Sequence, residues 1–101
     1  MQFYSNWREH IVFSASGPQP QVLIETDRFK SVLVGLEVGH KLPPHPGGAA
    51  MYYFLQGTGF VIVNGERLAV QAGATVVMPE GAERSIEATT QLAFIAARTM
   101  P

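Results

Sequence analysis

The sequence predicts an all-β domain, a sandwich or barrel, and three observations predict it. Ten glycines and seven prolines are spread along 101 residues, leaving few stretches that hold a long helix. The apolar runs between them are short and rich in Val, Ile, Phe and Tyr, residues that suit a pleated, half-buried surface. Two of the runs, Phe60-Val61-Ile62-Val63 and Glu66-Arg67-Leu68-Ala69-Val70, are joined by Asn64-Gly65, whose tolerance of left-handed backbone fits a type I′ hairpin turn.

Taken in order, the N-terminal residues give no assignment. Phe3, Trp7 and Ile11 recur every four residues as on a helix face, yet the same residues serve a strand, so 1–20 is read as an extension. Strands are then expected at 21–26, 29–38, 51–56, 60–63, 66–70, 75–78, 84–88 and 91–97, seven or eight in all. In 29–38, Val32, Val34, Leu36 and Val38 share the face expected to be core, while Ser31, Leu33, Gly35 and Glu37 form a mixed face. In 51–56, Tyr52, Phe54 and Gln56 point one way and Met51, Tyr53 and Leu55 the other. One set lines the interior, and the other is an apolar exterior that argues for a partner. Gly57-Thr58-Gly59 lies between two strands, so it is a tight turn and not a phosphate cradle ahead of a helix. Residues 82–100 contain no Gly or Pro, but Thr89-Thr90 interrupts them, and two strands joined by a turn are expected. In the first of these, Arg84, Ile86 and Ala88 share a face, so a buried Ile86 carries Arg84 inward with it.

The length allows one core and one domain. A charged fraction of 15%, against about 25% in ordinary domains, leaves a surface short of charge and hints that a second copy covers part of it. Seven basic against eight acidic residues, with no basic cluster, argue against nucleic acid. The start lacks the pattern of a signal peptide and no apolar run reaches the ~18 residues of a membrane span, so a cytoplasmic protein with no membrane partner is expected. Without cysteine there is no disulfide, thiolate-metal or cysteine-nucleophile chemistry.

Three histidines are present, His10, His40 and His45, and none belongs to a His-x-His or His-Glu-x-x-His pattern. A metal centre normally draws at least three protein ligands, and residues 38–65 supply only His40 and His45 with no acid. His40 reads most simply as a turn residue.

The run Gly39-His40-Lys41-Leu42-Pro43-Pro44-His45-Pro46-Gly47-Gly48-Ala49-Ala50-Met51-Tyr52-Tyr53-Phe54-Leu55-Gln56-Gly57 and the later Gly73-Ala74-Thr75-Val76-Val77-Met78-Pro79-Glu80-Gly81 resemble the two motifs of the cupin superfamily. The resemblance covers roughly residues 29–97, which it marks as the conserved barrel of a single domain, 1–101. It implies a single cupin barrel, a double-stranded β-helix or jelly roll of two antiparallel sheets. Anchored on Gly57, the glutamate position of the family's first motif falls on Ala50, its second histidine on His45 and its first on Pro43. In the second motif Gly73, Pro79 and Gly81 match, while the ligand histidine position is Arg84 and the later asparagine position is Ala88. Ala and Pro have no donor atom to offer a metal, and a permanent guanidinium cation opposes one. No metal cofactor is therefore expected. A divalent metal would need an irregular set, His45 with His40 and a carboxylate from Glu37 or Glu83.

Three readings of function follow, since the fold by itself implies none. In the first, the domain binds a small anionic molecule without a metal. Arg84 then grips a carboxylate or phosphate, His45 is a hydrogen-bond partner or acid/base, and Tyr52 and Phe54 line the site. On this reading Arg84→Ala abolishes binding and leaves melting nearly unchanged. In the second the protein is an enzyme, a metal-dependent dioxygenase or a metal-free isomerase or lyase with His45 in the active site. In the third, side chains fill the barrel and the protein is a structural or interaction module. A homodimer is expected in each. Arg84 also has an architectural alternative, with its stem on apolar residues and its head in solvent or against Glu83 or Glu80.

Overall fold

The computed structural model describes residues 1–100. Its strands are β1 (Gln21–Glu25), β2 (Phe29–Leu36), β3 (Lys41–His45), β4 (Ala50–Gln56), β5 (Thr58–Val63), β6 (Glu66–Gln71), β7 (Thr75–Met78), β8 (Arg84–Ala88) and β9 (Leu92–Thr99). One sheet has the order β1-β2-β9-β4-β7 and the other β3-β8-β5-β6, with antiparallel neighbours throughout. The two sheets close face to face as a jelly-roll barrel. The Asn64-Gly65 turn forms as expected, with φ of 49° and 83°, and pairs Val63 with Glu66.

Alternation along the strands builds the core. Leu36 of β2, Phe54 of β4, Val61 of β5, Ile86 of β8 and Leu92 and Phe94 of β9 are buried between the sheets, each worth roughly 1.5–3 kcal/mol of burial. Phe94 stands opposite Phe54 in the β4–β9 register and lies between it and Tyr52, with ring centroids 5.3 and 5.6 Å away. These tilted rings fill the middle of the barrel.

The strand at 41–45 was not among those expected, because Lys41-Leu42-Pro43-Pro44-His45 looks like a loop. It is tolerated since β3 is an edge strand, where one of two adjacent prolines can face away from the ladder, and both fall in a stretch without regular pairing. The pairing of β3 with β8 is irregular between Leu42 and His45, a bulge-like shift just before the histidine.

Two corrections concern β2. It ends at Leu36, and Val38 is exposed and not core. The face expected to be mixed is buried at Leu33 and Gly35, because the N-terminal extension lies over it. A short 3-10 turn, Trp7–Glu9, is capped where the Asn6 side chain accepts from the Arg8 N–H at 3.1 Å. A Cβ added at Gly35 would come within 2.6 Å of the Val12 carbonyl and 2.8 Å of the Phe13 ring. Tyr4, Trp7 and His10 roof a space of about 260 Å³ over Leu23, Leu33 and Ile95. Residues 82–100 form two strands, β8 and β9, as expected. No helix among the described residues is long and apolar enough to cross a membrane.

Candidate functional site

Two loops meet at one end of the barrel. Pro46-Gly47-Gly48 leads from β3 to β4, and Pro79-Glu80-Gly81-Ala82 leads from β7 to β8. The Gly81 N–H donates to the Gly47 carbonyl at 2.8 Å, and Arg84, the first residue of β8, completes the junction. Its Nε donates to the Ala82 carbonyl and its Nη1 to the Gly48 carbonyl, both at 2.9 Å. Nη2 lies 3.4 Å from the carbonyls of both Gly47 and Pro79. The loop at Gly48 also packs closely against the end of β9. A Cβ on Gly48 would overlap the Thr99 carbonyl there, whereas one on Gly47 would meet the guanidinium at an ordinary contact distance of 3.4 Å.

Arg84 thus points inward, as its parity requires, and is only 2% exposed. Its head reaches neither solvent nor Glu80 nor Glu83, so that architectural expectation is corrected. The ion pairs among the described residues are Lys30–Glu25, Lys41–Glu87 and Arg67–Glu87, and Arg84 takes part in none of them. A buried cation is stable only when other groups replace its hydration. Here backbone carbonyl dipoles do so, without a counter-ion. Four of the five guanidinium N–H groups are directed at carbonyls, which leaves one on Nη1.

Beside Arg84 lies a cavity of about 230 Å³, well above the roughly 10–15 Å³ that one water needs. Val32, Ala50 and Ala96 give it an apolar wall, and its polar side chains include His45, Tyr52, Arg84, Arg98 and Thr99, with no carboxylate among them. Each has a simple placement. His45 faces Arg84 across the β3–β8 ladder, so their side chains share a face. Tyr52 and Ala96 are paired between β4 and β9, and so are Ala50 and Arg98 two residues along, which puts Arg98 on the interior face.

The His45 ring Nδ1 lies 3.0 Å from the Pro43 carbonyl. A carbonyl only accepts, so in the neutral ring Nδ1 carries the proton and Nε2 is the free acceptor. Burial pushes the Tyr52 phenol above its ordinary pKa, while the charge and N–H of Arg84, and more weakly the charge of Arg98, act in the opposite direction. The phenol and Arg84 approach without an ordinary hydrogen bond in this geometry. Tyr52 therefore remains a neutral O–H donor at physiological pH, beside two cations.

His45, Tyr52 and Arg84 are brought together, and Phe54 is not. Phe54 is wholly buried against Phe94 and contributes to the core instead of the cavity wall. His40 also lies elsewhere. It precedes β3 while His45 ends it, and five residues of extended chain span roughly 16 Å at about 3.3 Å each. Glu37 accepts a hydrogen bond from Gln91 at 2.8 Å and Glu83 is exposed, and neither reaches the cavity. The donor chemistry does not fit the metal of the family resemblance: one imidazole faces a guanidinium, and no group of three His, Cys, Asp or Glu gathers among the described residues. Arg98 was missed. The apolar run in the sequence ends at Ala97 while β9 continues to Thr99, and extending its alternation one residue further places Arg98 with Ala96 and Phe94.

A two-sheet antiparallel jelly roll closed around a single core defines the class of single-domain jelly-roll β-barrels. The cupin-domain family model matches residues 32–97, and the chain belongs to the cupin family. Among solved structures, a conserved protein of unknown function from Streptococcus pyogenes shares 19% identity over 100% of this chain and 90% of its own, with a TM-score of 0.89. An RmlC-like cupin from Desulfovibrio desulfuricans shares 21% over 98% and 96%, with a TM-score of 0.86. A salicylate 1,2-dioxygenase variant from Pseudoaminobacter salicylatoxidans shares 20% over 83% of this chain but 27% of its own, with a TM-score of 0.74. At these identities the likeness is one of fold. No curated protein matches the chain.

Proposed function

We propose that this cupin is a metal-independent binding protein for a small anionic molecule held in the cavity between the sheets. The observation that carries this reading is Arg84, a buried cation with no acidic partner among the described residues, set in a cavity wall that has a second arginine and no carboxylate. An anion there gains charge-assisted hydrogen bonds in a partly desolvated setting, where they are about twice as strong as neutral ones. The Nε2 of His45 and the hydroxyl of Tyr52 add one polar contact each.

Thermal unfolding in a series of small anions at constant ionic strength tests the reading, with metal analysis and a chelator arm alongside. Binding to the folded state alone raises Tm with anion concentration. The expected result is such a rise for at least one anion, with unchanged melting in chelator. Stoichiometric metal with melting that collapses in chelator overturns it and favours the dioxygenase reading.

The outer face of the five-stranded sheet favours a second reading about assembly. Met51 and Val77 are register partners and, with Tyr53, are 45%, 75% and 43% exposed on one face. Neighbouring apolar residues on a sparsely charged protein support a homodimer in which a second copy covers this face.

A further inference from the structure

We infer that the ligand carries two anionic heads, as a short dicarboxylate does, one at Arg84 and the other at Arg98. The inference rests on the anion-binding reading above and deepens it. The two guanidiniums belong to different sheets, Arg84 to β8 in the four-stranded sheet and Arg98 to β9 in the five-stranded one, and both line the same cavity. They also differ in depth, since Arg84 is buried and Arg98 is exposed.

The hydrogen-bonding capacity of the two is unequal in a way that suits two heads. Arg84 has one N–H left over from its carbonyls, and with the Tyr52 hydroxyl this makes an inner pair of donors for one carboxylate. Arg98 makes no side-chain hydrogen bond or ion pair among the described residues, so its planar fork is available for a bidentate grip on a second carboxylate at the mouth. Two cations with no acid among the described residues of the wall are neutralised by two negative charges. Val32, Ala50 and Ala96 form the apolar wall along which a short methylene spacer lies. A cavity of about 230 Å³ limits that spacer to a few carbons.

The test is calorimetric titration of the protein with succinate, its chain-matched monocarboxylate butyrate, and inorganic phosphate, repeated on Arg98→Gln. Expected are at least tenfold tighter binding of succinate than of butyrate, and loss of that preference in Arg98→Gln; a preference retained in Arg98→Gln overturns the assignment of the second head to Arg98. A melting curve of the variant checks its fold. If Arg98→Gln unfolds, Arg98→Lys replaces it, and the expected outcome is a reduced preference because a point charge loses the bidentate geometry. Equal affinity for succinate and butyrate in the unaltered protein overturns the two-headed ligand and leaves the anion-binding reading standing. Phosphate binding tighter than succinate overturns it in favour of a single compact head. Failure of all three to bind, with no anion raising Tm, overturns both.

Discussion

The Nη1 of Arg84 donates to the Gly48 carbonyl at 2.9 Å, and this bond ties the first residue of β8 to the loop that enters β4. With the bonds to Ala82, Gly47 and Pro79, one guanidinium fastens the two loops that bound the cavity. In the cupin motifs this position is that of a metal-ligand histidine. Here the cation is part of the side chain, and it gathers backbone oxygens in place of side-chain ligands.

Arg84→Ala is therefore expected to destabilise, and the sequence-based expectation of nearly unchanged melting does not survive the geometry. Truncation leaves buried carbonyls unpaired at about 1–3 kcal/mol each, and relaxation of the loops recovers part of this. A loss of about 3 kcal/mol is expected by urea denaturation, with Tm lower by on the order of 10 °C or more. Arg84→Lys recovers only part, since an ammonium cannot direct donors at four carbonyls in one plane.

The Tyr52 phenol adds an alkaline dependence. Its pKa in the folded protein is raised above the ordinary value of about 10, chiefly by burial. Above pH 10 the unfolded chain loses this proton before the folded one does, so the unfolded state binds fewer protons and stability falls as pH rises. Below pH 10 both states are protonated and the contribution is constant. Tyr52→Phe is expected to reduce the loss of stability above pH 10, and ultraviolet difference titration against that variant should show a phenol ionising later than a free one.

Gly35→Ala tests how the N-terminal extension is held. The added methyl meets the Val12 carbonyl and the Phe13 ring on the outer face, away from the barrel interior. The extension should lift while the barrel stays folded. Faster proteolysis within residues 1–20, with the circular dichroism of the strands retained, is the expected outcome. Equal protease resistance would show that the segment has room to adjust.

Val77→Glu addresses assembly. Val77 is 75% exposed on the short edge strand β7, beside Met51. If a second copy covers this face, a buried unpaired carboxylate opposes the association, and sedimentation should change from dimer to monomer with little change in the melting of the monomer. A monomer before and after the substitution would remove the dimer reading.

Much of the fold was legible in the sequence because it depends on local pattern. Glycine and proline spacing, β-branched runs and the Asn64-Gly65 turn each act over a few residues, and parity carried Arg84 inward with Ile86 while only grouping Tyr52 with Phe54 on one face. β3 was hidden because two adjacent prolines need both an edge position and a break in the pairing, and neither strand order nor register is local. Phe54 shares its face with Tyr52, but parity does not give depth along the barrel. Two residues separate a cavity wall from a filled core.

The sequence by itself determined the strand pattern, the motif spacing and the loss of every usual ligand type but His45 at the motif positions, since these depend on residue identity and on periodicity along the chain. Only the tertiary structure decided what Arg84 does. Its carbonyl partners at Gly47 and Gly48 lie more than thirty residues away, and backbone acceptors leave no mark in the residue types. The pairing of Arg84 and Arg98 across one cavity was decided there as well, because two strands from different sheets meet only when the barrel closes.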